Sequence, residues 1–320
     1  MVLRKGLAAF CAVLACALPA IAAAQTPTNP YAEFQRREGL LFDTGWKLAR
    51  ANREICARTE NSIGLLIHDA ANYSKPDDVR RALSLAGDVG VQAVAVGSPA
   101  ARAGIVPNRT IFAIDRALVE ERWKPTRPTV ERTLQIEDAM AGSLKDGRIG
   151  LSLNDRGGEI VVLGVKTCAA KFRLIPGDEV YAGPHTVFLG AEFMGFGLPR
   201  EAFAAAVAHE LAHVLLDHPS RKESERWNWV RTRQSEREAD RMMPWLLWNA
   251  GYDPQAAADF LRAWGPKHGG GLLRKRTHDG WDERLAMVTA EIASLRRQVK
   301  QKGWKPGEAD WSQRFAREAD

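Results

Sequence analysis

Cysteine is scarce in this 320-residue chain, which has four, at positions 11, 16, 56 and 168. The first two sit in an N-terminal apolar run, so only one pairing, Cys56 with Cys168, is open to the rest of the chain. Long apolar stretches are few as well. Beyond the first 24 residues none approaches the roughly 20 apolar residues of a membrane helix, so no transmembrane segment is expected in the mature chain. Clustered positive charge is also missing. The formal net charge is +6, and basic residues are scattered apart from Arg274-Lys275-Arg276, so no nucleic-acid partner is expected.

Residues 1–24 read as a signal peptide. Arg4-Lys5 precede an apolar run from Leu7 to Ile21, and Ala22-Ala23-Ala24 offers a small-residue cleavage site. The mature chain is then expected in the periplasm or secreted. A lipoprotein anchored at Cys16, after Val13-Leu14-Ala15, is the alternative. Cleavage near Ala24 removes Arg4 and Lys5, taking the charge from +6 to +4 (6 − 2), and leaves about 296 residues (320 − 24), room for two domains. Cys56 and Cys168 are expected to form a disulfide in such an oxidising compartment, two buried thiols being the alternative.

From Ala202 to Leu216 the chain is apolar except at His209, Glu210 and His213. These three spell H-E-x-x-H. Residues four apart share a helical face, with Cβ atoms roughly 5–6 Å apart. His209 and His213 can therefore bind one zinc ion, and Glu210, one step round, can act as base towards its water. Pro199 suits the first turn of this helix, and His218-Pro219 predicts its end. A helix apolar on nearly every side is a buried one.

A catalytic zinc takes three protein ligands. The extension H-E-x-x-H-x-x-G-x-x-H is excluded by Leu216 and Pro219. His218 is near but at or past the helix end. Glu236 and Asp240, four apart, share a face. Glu236 can ligate while Asp240 accepts the second ring N–H of a ligand histidine. Glu238 points elsewhere. Without the metal, the same segment reads as a charged helix surface.

His209-Glu210-Leu211-Ala212-His213 followed by Glu236-Arg237-Glu238-Ala239-Asp240 resembles the zinc endopeptidases of the HtpX, type I CAAX prenyl protease and BepA-like family. The resemblance implies one Zn2+ per chain held by His209, His213 and Glu236, with Asp240 behind them. Thr277-His278-Asp279, near Arg284, matches a family T-H-P segment except at Asp279. It implies that His278 and Arg284 lie near the active site, binding substrate or oxyanion, or that His278 blocks the metal in a latent state. Val180 to Leu189 corresponds to a family strand that flanks the cleft and pairs with extended substrate.

Ser98-Pro99-Ala100-Ala101-Arg102-Ala103-Gly104, then Ile111 to Asp115, resembles the signature of PDZ domains. A helix over Val130–Leu144 and strands at Gly150–Leu153 and Glu159–Val165 follow, with a hairpin turn at Asn154–Gly158. Gly64, Leu65, Leu66 and Ile67 are the expected carboxylate-binding loop. A structural insert that binds nothing is the alternative.

The expected class is α+β: a mainly helical zincin-type peptidase domain with a small sheet, plus a β-rich PDZ-like domain inserted after an N-terminal helix. The organisation is 30–58 N-terminal helix, 62–165 PDZ-like domain, 166–302 peptidase domain and 303–320 a peripheral tail. A Cys56–Cys168 bond would clamp the base of the insert. Helices are expected at 233–250, broken or kinked at Pro244, and at 254–264 and 281–300. The implied partners are polypeptides, misfolded or with exposed C-termini. The competing class is a PDZ-based adaptor or chaperone-like protein with a structural or latent zinc site.

Overall fold

A computed structural model describes residues 29–125, 129–153, 158–268 and 279–315. The signal segment with Cys16, the turn at 154–157 and His278 lie outside the described residues.

Asn29 starts the first helix, Pro30–Ala51, by accepting from the N–H groups of Tyr31 and Ala32. One face of this helix buries Leu41, Leu48 and Ala49. They join a core built around the alanine-rich helix Arg200–Leu215. Alanine on every side keeps that helix thin, so the helices Pro30–Ala51, Trp229–Asn249 and Gln255–His268 all close on it. Trp281–Lys302 packs on the last two.

A three-stranded sheet borders these helices. Its order is Val180–Ala182, Thr186–Gly190, Lys171–Ile175, the first pair antiparallel and the second parallel. The single strand expected from Val180 to Leu189 is therefore a hairpin. Gly183-Pro184 turns the chain, with the Gly183 N–H donating to Thr186 O, and Pro184 has no N–H to carry the ladder on.

A second core lies between residues 63 and 162 and includes Ile67, Val91, Ile136, Ile149 and Leu151. Leu65–Asp69 pairs antiparallel with Val89–Val94. Arg148–Ser152 is central to a four-stranded sheet and pairs with Glu159–Leu163. Helix Glu131–Lys145 packs Ile136, Met140 and Leu144 into this core. The chain is thus α+β.

A two-stranded ribbon, Thr59–Ser62 paired antiparallel with Val165–Cys168, connects the two cores. Cys56 and Cys168 are disulfide-bonded at its base, with Cα atoms 5.6 Å apart. Glu137 adds ion pairs to Lys171, at 3.3 Å, and to Arg173.

Two expectations are corrected. Trp229–Asn249 is not broken at Pro244 but continues through it. Met242 to Leu247 are all buried, and that packing outweighs the roughly 3 kcal/mol local cost of an interior proline. The tail is anchored at two positions within 303–315, although most of its residues there are exposed. Ala309 and Trp311 are buried in the main core, and Trp311 Nε1 donates to Asn52 Oδ1 at 3.0 Å. A tryptophan body is a large apolar payload that stays out of water when its N–H finds a partner.

Candidate metal centre

The central helix Arg200–Leu215 is buried along nearly its whole length, and Glu210 is less buried than its neighbours. Glu210 lines a cleft of about 950 Å³ together with His209, His213, Glu236 and Arg284. Trp229–Asn249 begins at Asn228, whose side chain accepts from Val230 and Arg231 N–H groups. Its Glu236 and Asp240, one turn apart, face the central helix.

The structure brings His209, His213 and Glu236 to one point. The two Nε2 atoms are 3.3 Å apart. Glu236 Oε2 is 3.4 Å from His209 Nε2, and its Oε1 is 3.6 Å from His213 Nε2. Three donors set tetrahedrally around a zinc ion at its usual bond lengths would stand roughly 3.3–3.6 Å apart. Two imidazoles and a carboxylate are also a donor set that zinc accepts, and these are the three residues that can hold an ion among those described.

Asp240 lies behind His209, with Oδ1 3.0 Å from Nδ1. Arg284 holds that carboxylate from the far side by two charge-assisted bonds, Nε to Oδ2 at 2.6 Å and an Nη to Oδ1 at 2.7 Å. Arg284 is thus close to the site and acts on Asp240. Asp279, the departure from the T-H-P pattern, takes Arg237 at 2.5 Å and Arg233 at 3.6 Å. It ties its segment to the helix that carries Glu236.

Electrostatics favour a cation at the convergence point. Burial lowers the affinity of His209 for a proton, but the carboxylates of Asp240 and Glu236 overturn this and raise its pKa to about 10. Burial lowers His213 to about 3, with Glu236 opposing it. His213 is thereby kept neutral, the form in which an imidazole can ligate. Burial pushes Asp240 up, yet Arg284 and His209 outweigh it and hold the carboxyl below its ordinary value.

His218 and Glu238 were not expected in this arrangement. Leu216 ends the helix, Asp217 turns through a left-handed conformation (φ 59°), and His218 opens a second helix, His218–Ser224. Pro219 therefore starts an element as well as stopping one. His218 is buried, with Nδ1 3.0 Å from His213 Nδ1 and Nε2 3.0 Å from Glu238 Oε2. A spacing of five residues is not a helical-face spacing, so periodicity carries no signal for this contact.

The strand Val180–Ala182 lines the cleft and has a partner on one side only among the described residues. Gly64, Leu65, Leu66 and Ile67 are set apart from the cleft, at the second core. Gly64 adopts φ 67°, and its N–H donates to Ser62 Oγ, so that amide is not offered to an anion. Leu65 to Ile67 belong to a strand paired on one side only among the described residues, and they border a narrow groove of about 130 Å³. Met140 and Leu144 line it on the side of the second core, and Phe42 and Trp46 of the first helix and Phe172 of the three-stranded sheet line it as well. No helix among the described residues is long and apolar enough to cross a membrane. Set against known proteins, the chain matches no family model and no curated protein.

Proposed function

We propose that the protein is a zinc-dependent metalloendopeptidase of the HtpX and BepA-like type, hydrolysing peptide bonds in the cleft. The observation that carries this reading is the convergence of His209, His213 and Glu236 with Glu210 beside them in the same cleft. A structural zinc site has no use for that extra carboxylate. An open cleft is also the wrong shape for a closed four-ligand site.

Zinc, when bound by His209, His213 and Glu236, supplies Lewis acidity to the scissile carbonyl and acidifies water. Glu210 takes the proton of the attacking water and returns it to the leaving amide nitrogen. Asp240, held by Arg284, orients the His209 ring. The outer edge of Val180–Ala182, unpaired among the described residues, pairs with extended substrate by main-chain hydrogen bonds. The unit spanning 62–165 is a PDZ-like module that selects polypeptides, and the disulfide suits a periplasmic or secreted protein. Quality control of misfolded chains is the role this combination suits.

Purified protein is expected to carry about one zinc per chain and to cleave an unfolded substrate such as casein. Glu210→Gln should keep the zinc and lose cleavage by about 10²–10⁴-fold, the contribution of a general base. Zinc without any difference between wild type and Glu210→Gln would favour the adaptor reading.

A further inference from the structure

The two histidines of the motif are supported differently. His209 Nδ1 faces a carboxylate directly, that of Asp240. His213 Nδ1 faces another imidazole, His218, at 3.0 Å, and only that ring reaches a carboxylate, Glu238, at 3.0 Å. An imidazole that presents its Nε2 lone pair to a metal carries its proton on Nδ1. In His213 that proton is donated to His218 Nδ1. His218 then carries its own proton on Nε2 and donates it to Glu238. Each nitrogen is used once and the network allows one direction, which assigns both tautomers.

We propose that His218 and Glu238 are a positioning pair for this centre, fixing the tautomer and ring plane of His213. This rests on the metal-centre reading above. His218 is not itself a ligand, because both its nitrogens are engaged away from the point where His209, His213 and Glu236 meet. The surroundings suit a fixed ring. His218 is 2% exposed. The His213 ring crosses it at 5.0 Å and 73°, and Trp227 covers it at 5.8 Å and 62°. The left-handed Asp217, with Ser220 Oγ donating to its carboxylate at 2.7 Å, sets the turn that brings His218 back over His213.

The test is zinc affinity of the full chain, measured by competition with a chromophoric chelator. His218→Ala should bind zinc about 10–100-fold more weakly, as expected for loss of a ligand's hydrogen-bond partner. His218→Asn, whose Oδ1 stands where Nδ1 stood, should restore affinity close to wild type. Glu238 is partly exposed, unlike His218. Glu238→Ala should weaken binding about tenfold, whereas Glu238→Gln, still an acceptor, should not. The visible spectrum of the cobalt-loaded protein should shift in both alanine variants and match wild type in His218→Asn. A general loss of stability would not follow this acceptor pattern. Equal affinity of wild type and His218→Ala overturns the proposal, as does a His218→Asn variant as weak as the alanine. Should His218→Ala fail to fold, Glu238→Ala at wild-type affinity overturns it. A wild type that takes up no zinc brings down the metal reading itself, a result distinct from zinc binding that no variant weakens.

Discussion

His209 and His213 carry the same side chain one helical turn apart, and their surroundings push them in opposite directions. Asp240 and Glu236 raise His209 against its burial, while burial keeps His213 neutral. Identity at a position says little about protonation until neighbours from other elements are in place. His68 shows the same principle in the second core. Burial lowers its pKa to about 4, and neither ring nitrogen has a hydrogen-bond partner among the described residues. Its folded pKa is depressed, so protonation is resisted in the fold and not in the unfolded chain. Stability is therefore lost as pH falls from about 6.5 towards 4. Urea unfolding should show wild type losing about 2 kcal/mol more than His68→Leu between about pH 7 and pH 5. Parallel pH profiles for the two proteins would refute that assignment.

Among the elements, the central helix was legible from its sequence because every signal agreed. Alanine favours helix, Pro199 suits its start, and two imidazoles at a spacing of four share a face. Helix Trp229–Asn249 was legible in kind, but whether Pro244 breaks it was not, since burial from Met242 to Leu247 overrides local preference. The hairpin is marked in the sequence by Gly183-Pro184, a turn dipeptide that divides Val180 to Leu189 into two short strands. The ribbon of Thr59–Ser62 and Val165–Cys168 ends at a disulfide between residues 112 positions apart. Closing a loop of that length restricts the unfolded chain by roughly 4–5 kcal/mol in the chain-entropy model. The double variant Cys56→Ala, Cys168→Ala should lower the unfolding midpoint accordingly, and a variant as stable as wild type would show that the ribbon holds without the bond.

At the scale of the molecule, one core forms around the helices that carry His209, His213 and Glu236 and another around the strands between residues 63 and 162. The C-terminal segment belongs to the first. Asn249 exchanges hydrogen bonds with both the N–H and the C=O of Ala309, and Asn52 accepts from Asn249 and Trp311. Arg314 adds two bonds to Glu291, at 3.0 and 2.9 Å. Residues as far as 259 positions apart are thus stitched into one buried amide network. Trp311→Ala should cost about 3–5 kcal/mol of stability, the usual range for emptying a buried aromatic site. Denaturant titration would measure it, and a loss below about 1 kcal/mol would place the tail back at the periphery.

The sequence by itself determined that His209, Glu210 and His213 share one helix and that His209 and His213 share one face of it, because a turn of about 3.6 residues makes their spacing a statement about geometry. A second spacing of four pointed to Glu236 and Asp240 on another helix, and the family resemblance pointed to the same two residues. Tertiary structure alone decided what stands behind His209 and His213. Arg284 reaches Asp240 across 44 positions, and Glu238 reaches His218 across 20. Contacts between elements have no period in the chain, and a left-handed turn at Asp217 leaves no spacing to read. The same holds for Trp311, whose alternating charged neighbours predict a surface until the asparagines that receive it are in place.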